Sequence, residues 1–107
     1  MVVLPDSTTA VNHDLIITLA ARNHLPAVYS FKFIVQAGGL MSYGIVGADY
    51  YRQAAFYVDR ILRGAQPAEL PVQTPTKYET ALNLKAAKAL GLTVSPGLLV
   101  AADEVIE

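Results

Sequence analysis

The chain has no cysteine among its 107 residues, which excludes disulfide bonds, thiolate metal sites and cysteine nucleophiles. No apolar run approaches the roughly eighteen residues that a membrane-spanning helix needs, so the sequence predicts none. The first residues, MVVLPDSTT, carry neither a basic region nor a long apolar region, and this is not the pattern of a signal peptide. Taken as written, the sequence therefore predicts a cytoplasmic chain.

Charged side chains are scarce as well. They make up 16% of the chain, below the roughly one quarter that is typical of globular domains. The net charge is −1, so nothing indicates a nucleic acid or an anionic membrane as a partner. Hydrophobic residues reach 53% in a chain that is long enough for one domain only. We therefore expect apolar surface that a second copy or another partner covers.

The sequence contains no pattern that indicates catalysis. A P-loop, a Gly-x-Gly-x-x-Gly fingerprint and a Gly-x-Ser-x-Gly nucleophile elbow are all missing. The two histidines, His13 and His24, have no second ligand at a useful spacing, so we predict no metal site. The sequence predicts a protein that is not an enzyme and needs no cofactor.

The segment from Gly38 to Gly64 gives the clearest local prediction. Leu40–Tyr43 has the apolar character of a short buried strand, and a glycine turn follows it. Asp49 is the predicted N-cap of an amphipathic helix that ends at Arg63, before a C-terminal glycine. One face of this helix is apolar at the spacing of helical turns, an apolar stripe of Tyr51, Ala54, Ala55, Val58, Ile61 and Leu62.

Strands and helices alternate through the rest of the chain. The predicted strands are Val2–Leu4, Ala27–Tyr29 and Lys77–Leu82, and the predicted helices are Thr9–Arg22, Lys85–Leu90 and Pro96–Val105. The inner face of the first helix is assigned to Val11, Leu15, Ile16, Leu19 and Ala20, and Asp103, Glu104 and Glu107 to a solvated acidic tail. This alternation predicts an α/β layer with mostly parallel short strands and flanking helices.

Ligands of such sheets bind beyond the carboxyl ends of the strands. Three connections are therefore candidates: Asp6–Thr9, Ser30–Phe33 and Tyr43–Gly47. Asp6, Ser7 and Thr8 are suited to hold an amino or hydroxyl group of a ligand, but they are equally suited to cap a helix. Ser30, Phe31 and Tyr43 can supply a hydroxyl and an aromatic wall to an amino-acid-like ligand, although Tyr43 could equally be a strand residue with its hydroxyl at the rim.

A series of ordered segments carries a family resemblance. They are VLPD, LAARNHLPAVYSF, GGLMSYG, YYRQAAFYVDRILRGAQPAELPVQTPTKYETALNLKAAKALGLTV and ADEVIE. Together they resemble the C-terminal end of the substrate-binding proteins of ABC transporters, of the tryptophan/tyrosine-binding type. The resemblance covers the whole chain, and it is specific because many motifs match in order.

The resemblance implies a fold, a function and partners. The fold is part of a two-lobed, periplasmic-binding-protein-like (type I) α/β architecture. Residues 1–38 would belong to the second lobe, 39–66 to a crossover strand and helix, and 75–107 to a returning strand and C-terminal helices. A complete member, about three times as long, would bind an amino acid or similar small molecule outside the cytoplasm and deliver it to an ABC permease.

A second hypothesis follows from the residues themselves. If the first lobe is missing, the apolar stripe of the helix from Asp49 to Arg63 has lost its usual cover. The chain would then be a self-associating α/β domain, a homodimer with or without domain swapping, and would have no ligand-binding activity of its own.

Overall fold

The computed structural model describes all 107 residues, Met1–Glu107. Six helices form: α1 Ser7–Val11, α2 His13–Arg22, α3 Lys32–Gln36, α4 Gly47–Leu62, α5 Leu84–Ala89 and α6 Pro96–Ala101. The four strands are β1 Val28–Tyr29, β2 Met41–Ile45, β3 Tyr78–Asn83 and β4 Glu104–Ile106, and one 3₁₀ turn spans Pro67–Glu69. No helix has the length and apolar character needed to cross a membrane.

The four strands form one sheet in the order β1-β2-β3-β4. β1 and β2 are parallel, as are β3 and β4, and Val2 adds a parallel bridge beside Val28. Between β2 and β3, Asn83 N–H donates to the Leu40 carbonyl and Val46 N–H to the Lys77 carbonyl, so this pair runs antiparallel. The predicted class, an α/β layer with mostly parallel strands, is confirmed.

The chain divides into two compact units. Unit 1 comprises Met1–Gly44 and Glu79–Glu107, and unit 2 comprises Ile45–Tyr78. The chain leaves unit 1 near the end of β2 and returns to it near the start of β3.

The hydrophobic core lies in unit 1. Its cluster of buried residues is Val3, Ala20, Ala27, Tyr29 and Ile34, against which Ile16, Ile17 and Phe31 pack. Val35 and Leu82 are fully buried as well. Asn83 is a buried polar residue whose two side-chain bonds join the Ala86 N–H and the Val35 carbonyl. Its polar atoms are therefore satisfied, as burial requires.

Unit 2 consists of α4 and the segment that follows it, and none of its residues is buried. In the apolar stripe, Tyr51 is 75% exposed and Leu62 81% exposed. Within unit 2, Asp49 of α4 forms an ion pair with Lys77, with 3.3 Å between Lys77 Nζ and Asp49 Oδ2. The residues of the predicted apolar stripe are exposed.

The C-terminal prediction is wrong in its second half. The predicted helix from Pro96 to Val105 ends at Ala101, and residues 104–106 form β4, parallel to β3. Two of the three acidic residues are therefore bonded rather than part of a solvated tail: Asp103 Oδ2 accepts the Thr80 N–H at 2.7 Å, and Glu104 pairs with Lys32. Glu107 is exposed, as predicted. Pairing with β3 outweighs the local helical pattern, so the segment 75–107 ends in a strand rather than a helix.

The first helix also differs from its prediction. It is broken at Asn12 into α1 and α2, and its inner face is turned relative to the expected one. Ile16, Ile17 and Ala20 face the core, whereas Val11, Leu15 and Leu19 are exposed. The break at Asn12 changes the phase of the helix, which a continuous 3.6-residue pattern cannot anticipate.

The helix ends were predicted with mixed success. Asn83 and Ser95, which directly precede α5 and α6, cap these helices through their side chains. Gly64 follows α4 with φ +102°, the left-handed conformation expected of a C-terminal glycine. Asp49 is not the N-cap of α4: the cap is Val46, without a side-chain bond, and Asp49 lies in the first turn, bonded to Arg52 at 2.7 Å.

Candidate functional site

Three parallel segments of unit 1 end at the same edge of the sheet. Val2 pairs with Val28, and Val28 and Tyr29 pair with Met41 and Ser42. The carboxyl ends of parallel strands lie side by side, so the residues after these segments are brought to one edge. The six candidate residues belong to unit 1 and lie at the ends of these segments or shortly after them, a region that we call the edge site: Asp6, Ser7, Thr8, Ser30, Phe31 and Tyr43.

Asp6 is exposed and caps α1. Its Oδ1 accepts the Thr8 N–H at 2.7 Å, and its backbone is extended. The hydrogen bond from the Thr8 backbone lowers the pKa of the Asp6 carboxyl below its ordinary value of 3.8, so the group is charged at neutral pH. Ser7 and Thr8 are exposed in the first turn of the helix. Capping is thus an observed role of Asp6, and the Thr8 side chain also hydrogen-bonds to its carboxylate.

Ser30 ties two of the strand ends together. Its Oγ donates to the Val3 carbonyl at 3.0 Å, and its own carbonyl lies against Gly44. A Cβ atom at Gly44 would fall 1.9 Å from Ser30 O, so only glycine permits this approach. The sequence predicted a turn at Gly44, whereas the residue lies inside β2. A glycine within a strand often marks such a close backbone approach.

The two aromatic candidates differ in their surroundings. Phe31 is partly buried, packs against the core and stacks on Phe33 with ring centroids 5.7 Å apart. Tyr43 is 58% exposed. It is not in a loop, because Tyr43–Ile45 is the end of β2, and only Val46 separates β2 from α4. The predicted loop Tyr43–Gly47 is therefore wrong, since strand pairing continues to Ile45.

An ionic cluster beside the edge site was missed by the sequence analysis. Lys32 Nζ lies 3.2 Å from Glu79 Oε2 and 3.2 Å from Glu104 Oε2. The hydrogen bond to Glu79, and then that to Glu104, raise the pKa of Lys32 above its ordinary value. The partners are far apart in sequence, so no local pattern reveals them. The cluster fixes the start of α3, directly after Phe31, to β3 and β4.

An apolar cavity of about 160 Å³ also lies in unit 1. Its lining is mostly aliphatic and includes Ile17, Leu25 and Leu90 but none of the six candidate residues. No group of three or more His, Cys, Asp or Glu side chains is placed to hold a metal ion. A cavity of about 460 Å³ in the same unit includes the polar side chains of Gln36, Asn83 and Lys85, and again none of the six candidate residues.

Known proteins share this architecture. The family model described as ABC transporter substrate binding protein matches residues 1–106. A conserved domain protein from Vibrio cholerae is 29% identical with a TM-score of 0.92 over 97% of this chain. An ABC domain from Streptococcus pneumoniae, solved in complex with L-Trp, is 28% identical with a TM-score of 0.91 over 98%. No curated protein matches significantly.

A ligand-free, open substrate-binding protein from Clostridium difficile shares the fold at 22% identity and a TM-score of 0.64. The fold is that of a periplasmic-binding-protein-like α/β domain. The chain belongs to the ABC transporter substrate-binding protein family. It spans about a third of the solved chains it matches, covering 35%, 36% and 35% of them.

Proposed function

We propose that the chain is the C-terminal part of a solute-binding protein that captures an amino acid or similar small molecule for import. The observation that carries this proposal is the convergence of three parallel strand ends at one edge of unit 1. Family membership supports the solute-binding role, and the L-Trp complex of the pneumococcal protein favours an amino acid as the ligand class.

The two units suggest how the chain is divided between lobes. Residues 1–38 and the returning segment 75–107 would form part of the second lobe, and residues 39–66 would cross to the first lobe and add a helix to it. Unit 2 buries none of its own residues, as expected of a segment whose cover is the rest of a lobe. The remaining two thirds of such a protein would supply that cover.

In this proposal the edge site forms one wall of the ligand cleft. The charged Asp6 carboxylate attracts a ligand ammonium group, while Ser7, Thr8 and Ser30 provide hydroxyls. Phe31 and Tyr43 flank the side chain of the ligand with aromatic surface. Good small-molecule sites bury about 70–90% of their ligand, and an open edge leaves most of it in water. The 107-residue chain alone should therefore bind amino acids weakly or not at all.

A chimera tests the proposal. The 107 residues replace the structurally matching third of the pneumococcal L-Trp-binding domain, which restores two lobes around the edge site. Calorimetry against a panel of amino acids should then give a dissociation constant in the micromolar range or below. Asp6→Ala should weaken binding roughly ten- to a hundredfold because it removes a charge-assisted bond worth about 1.5–3 kcal/mol.

The matched control is Asp59→Ala, an exposed carboxylate on α4 in unit 2. It should leave the dissociation constant unchanged. A folded chimera that binds no member of the panel would contradict the proposed function. Micromolar binding by the 107-residue chain alone would instead show that one lobe suffices.

The whole protein, in this proposal, works outside the cytoplasm and hands its solute to an ABC permease, without catalysing a reaction. These roles follow from the family and not from a contact in the chain. Co-purification of a full-length protein with its permease in detergent is the corresponding measurement, and a full-length protein that stays in the cytoplasm would exclude this role.

The uncovered helix supports a second candidate function. A self-associating α/β domain, a homodimer with or without exchanged segments, would cover the apolar stripe of α4. Fully burying a large apolar side chain stabilises by about 1.5–3 kcal/mol, so covering the tyrosine and three aliphatic residues is worth several kcal/mol. Light scattering at micromolar concentration distinguishes a dimer from a monomer.

A further inference from the structure

One short segment of unit 1 contacts the two residues at which the chain leaves this unit and returns to it. The carbonyl of Ser30 lies against Gly44, the last residue before unit 2, so closely that a Cβ atom there would fall 1.9 Å from the carbonyl oxygen. The Nζ atom of Lys32 lies 3.2 Å from Oε2 of Glu79, the residue at which the chain returns. Phe31 of the edge site stands between these two contacts in sequence. The segment therefore joins the edge site to both crossing strands.

The ion pairs of Lys32 connect three elements of unit 1. Its ammonium group lies between Glu79 of β3 and Glu104 of β4, 3.2 Å from one oxygen of each. The other oxygen of Glu104 accepts a hydrogen bond from Gln36 Nε2 at 3.4 Å. The three charged side chains are only 21–38% exposed, so salt and water screen their attraction in part. Helix α3 is thus bonded to β4 through both its first and its last residue.

Helix α3 depends on such tertiary bonds because it is short. It has five residues, and isolated helices of fewer than about twelve residues are marginal in water. Its N-cap residue, Phe31, makes no side-chain cap bond, so the first turn lacks a local stabilising contact of that kind. Burial of Ile34 and Val35 fixes the middle of the helix. The ion pairs of Lys32 are the polar side-chain contacts that fix its first turn.

We propose that Lys32 is a positioning residue of the edge site. Its ammonium group is bonded to two carboxylates of the same unit, so its role is to fix the segment of Ser30 and Phe31 and not to touch the solute. Fixing this segment before a solute arrives raises the fraction of molecules whose edge site is ready to bind. The apparent dissociation constant equals the intrinsic constant divided by that fraction. The inference rests on the proposed function, because it concerns affinity at the same site.

The first experiment measures binding kinetics in the two-lobed chimera by stopped-flow fluorescence with L-tryptophan. Lys32→Met removes the charge and keeps an apolar stem of similar length. The association rate constant should fall about fivefold, the equivalent of about 1 kcal/mol. The dissociation rate constant should stay unchanged, because fewer molecules are ready to bind but each complex is the same. Asp6→Ala, which removes a group proposed to contact the solute, should instead raise the dissociation rate constant.

Reversal of the charges provides the rescue. Lys32→Glu alone brings three carboxylates together and should lower the association rate constant at least as much as Lys32→Met. Lys32→Glu combined with Glu79→Lys again gives one ammonium group and two carboxylates, and it should restore most of the loss. The paired reversal leaves the net charge unchanged and L-tryptophan is a zwitterion without net charge, so long-range steering does not explain recovery.

The matched control is Asp103→Ala. It removes a carboxylate that accepts the Thr80 N–H at 2.7 Å and so supports the same two strands, but it is not bonded to α3. This variant should leave both rate constants unchanged.

Amide hydrogen exchange of the 107-residue chain tests the same inference without a solute. The Ile34 N–H donates to the Phe31 carbonyl at 3.2 Å, so its exchange reports on opening of the first turn of α3. Lys32→Met should speed this exchange about fivefold, because local opening becomes easier. The Leu92 N–H, which donates to a carbonyl of α5 at 2.9 Å, is the control and should exchange at an unchanged rate.

The two measurements separate this inference from the proposed function. A chimera that binds no amino acid contradicts the proposed function, and hydrogen exchange then still decides whether Lys32 fixes the segment. In a chimera that does bind, an unchanged association rate constant for Lys32→Met would overturn the positioning role. A change in the dissociation rate constant alone would overturn it as well, because it would show that Lys32 contacts the solute. Equal acceleration of exchange at Ile34 and Leu92 would show a general loss of stability and would also overturn it.

Discussion

Unit 1 and unit 2 use similar amino acids to opposite effect. Both contain helices with apolar residues, but unit 1 buries a cluster of them in its core, whereas unit 2 buries none. The two units differ in the number of residues from which each can build a core. A segment of about 34 residues is below the size that folds alone without a metal, a disulfide or a partner, and this chain has no cysteine.

The comparison shows that apolar content alone does not measure stability. The apolar stripe of α4 is as regular as any pattern in the sequence, yet it contributes no burial within the chain. The stability of the isolated chain should therefore come from unit 1. Substitutions in unit 2 should matter only when a partner is present.

The largest effect is expected from Leu82→Ala. Leu82 is 2% exposed in the core of unit 1, and the cavity left behind should lower the free energy of unfolding by about 2–5 kcal/mol. Leu62→Ala, on the exposed stripe, is the matched substitution and should change it by less than about 0.5 kcal/mol in dilute solution. Urea denaturation measures both, and equal losses would remove the distinction between the units.

The next largest effect is expected from Gly44→Ala, which should lower the free energy of unfolding by about 1–3 kcal/mol. The new methyl group would collide with the Ser30 carbonyl, so the ends of β1 and β2 must separate. Gly47→Ala is the control in unit 2, where nothing lies within 4 Å of the added atom. An unchanged thermal midpoint for Gly44→Ala would show that the edge site is not held by this contact.

Ser42→Ala should have a smaller effect of opposite sign. The Ser42 hydroxyl is buried without a hydrogen-bond partner, so its removal should raise the free energy of unfolding by about 1 kcal/mol. Ser30→Ala removes a hydroxyl that is bonded to the Val3 carbonyl and should lower it by about 1 kcal/mol. If chemical denaturation shows a loss for both variants, the Ser42 hydroxyl has a partner in solution.

The smallest effect is expected in the pH dependence of stability, through the carboxyl group of Asp6. Its pKa is lowered in the folded chain, so its contribution is present above the unfolded value of 3.8 and is lost as pH falls through the folded value. Asp6→Asn keeps an acceptor for the Thr8 N–H but cannot titrate. Its thermal midpoint should therefore depend less on pH below 4 than that of the original chain. If the thermal midpoints of the two chains depended equally on pH below 4, the pKa of Asp6 would be the same in the folded and the unfolded chain.

Local signals in the sequence predicted much of unit 1 and all of α4 to within two residues. Asn83, Ser95 and Gly64 mark helix ends because a cap depends only on a few neighbouring residues. β4 was missed because the ladder with β3 that creates it joins residues more than twenty positions apart. The rotation of α2 was missed because it depends on the break at Asn12.

The edge site was predicted at a coarser level. Topology placed Asp6, Ser30 and Tyr43 near one another, since parallel strands align their ends. The contacts that hold this edge, Ser30 against Gly44 and Lys32 between Glu79 and Glu104, are tertiary and have no local pattern. Their roles in binding a solute stay predictions that the chimera can test.

The antiparallel pairing of β2 and β3 has a consequence for engineering. The hydrogen bonds on either side align Gly44 with Glu79, the two residues at which the chain leaves and re-enters unit 1. Unit 2 is therefore, in topology, a long hairpin connection. A splice that joins Gly44 to Glu79 through Asn-Gly would replace it with a two-residue turn of the type that suits twisted strands. The product would be a miniature of about seventy residues, a scaffold that displays the edge site without the exposed helix.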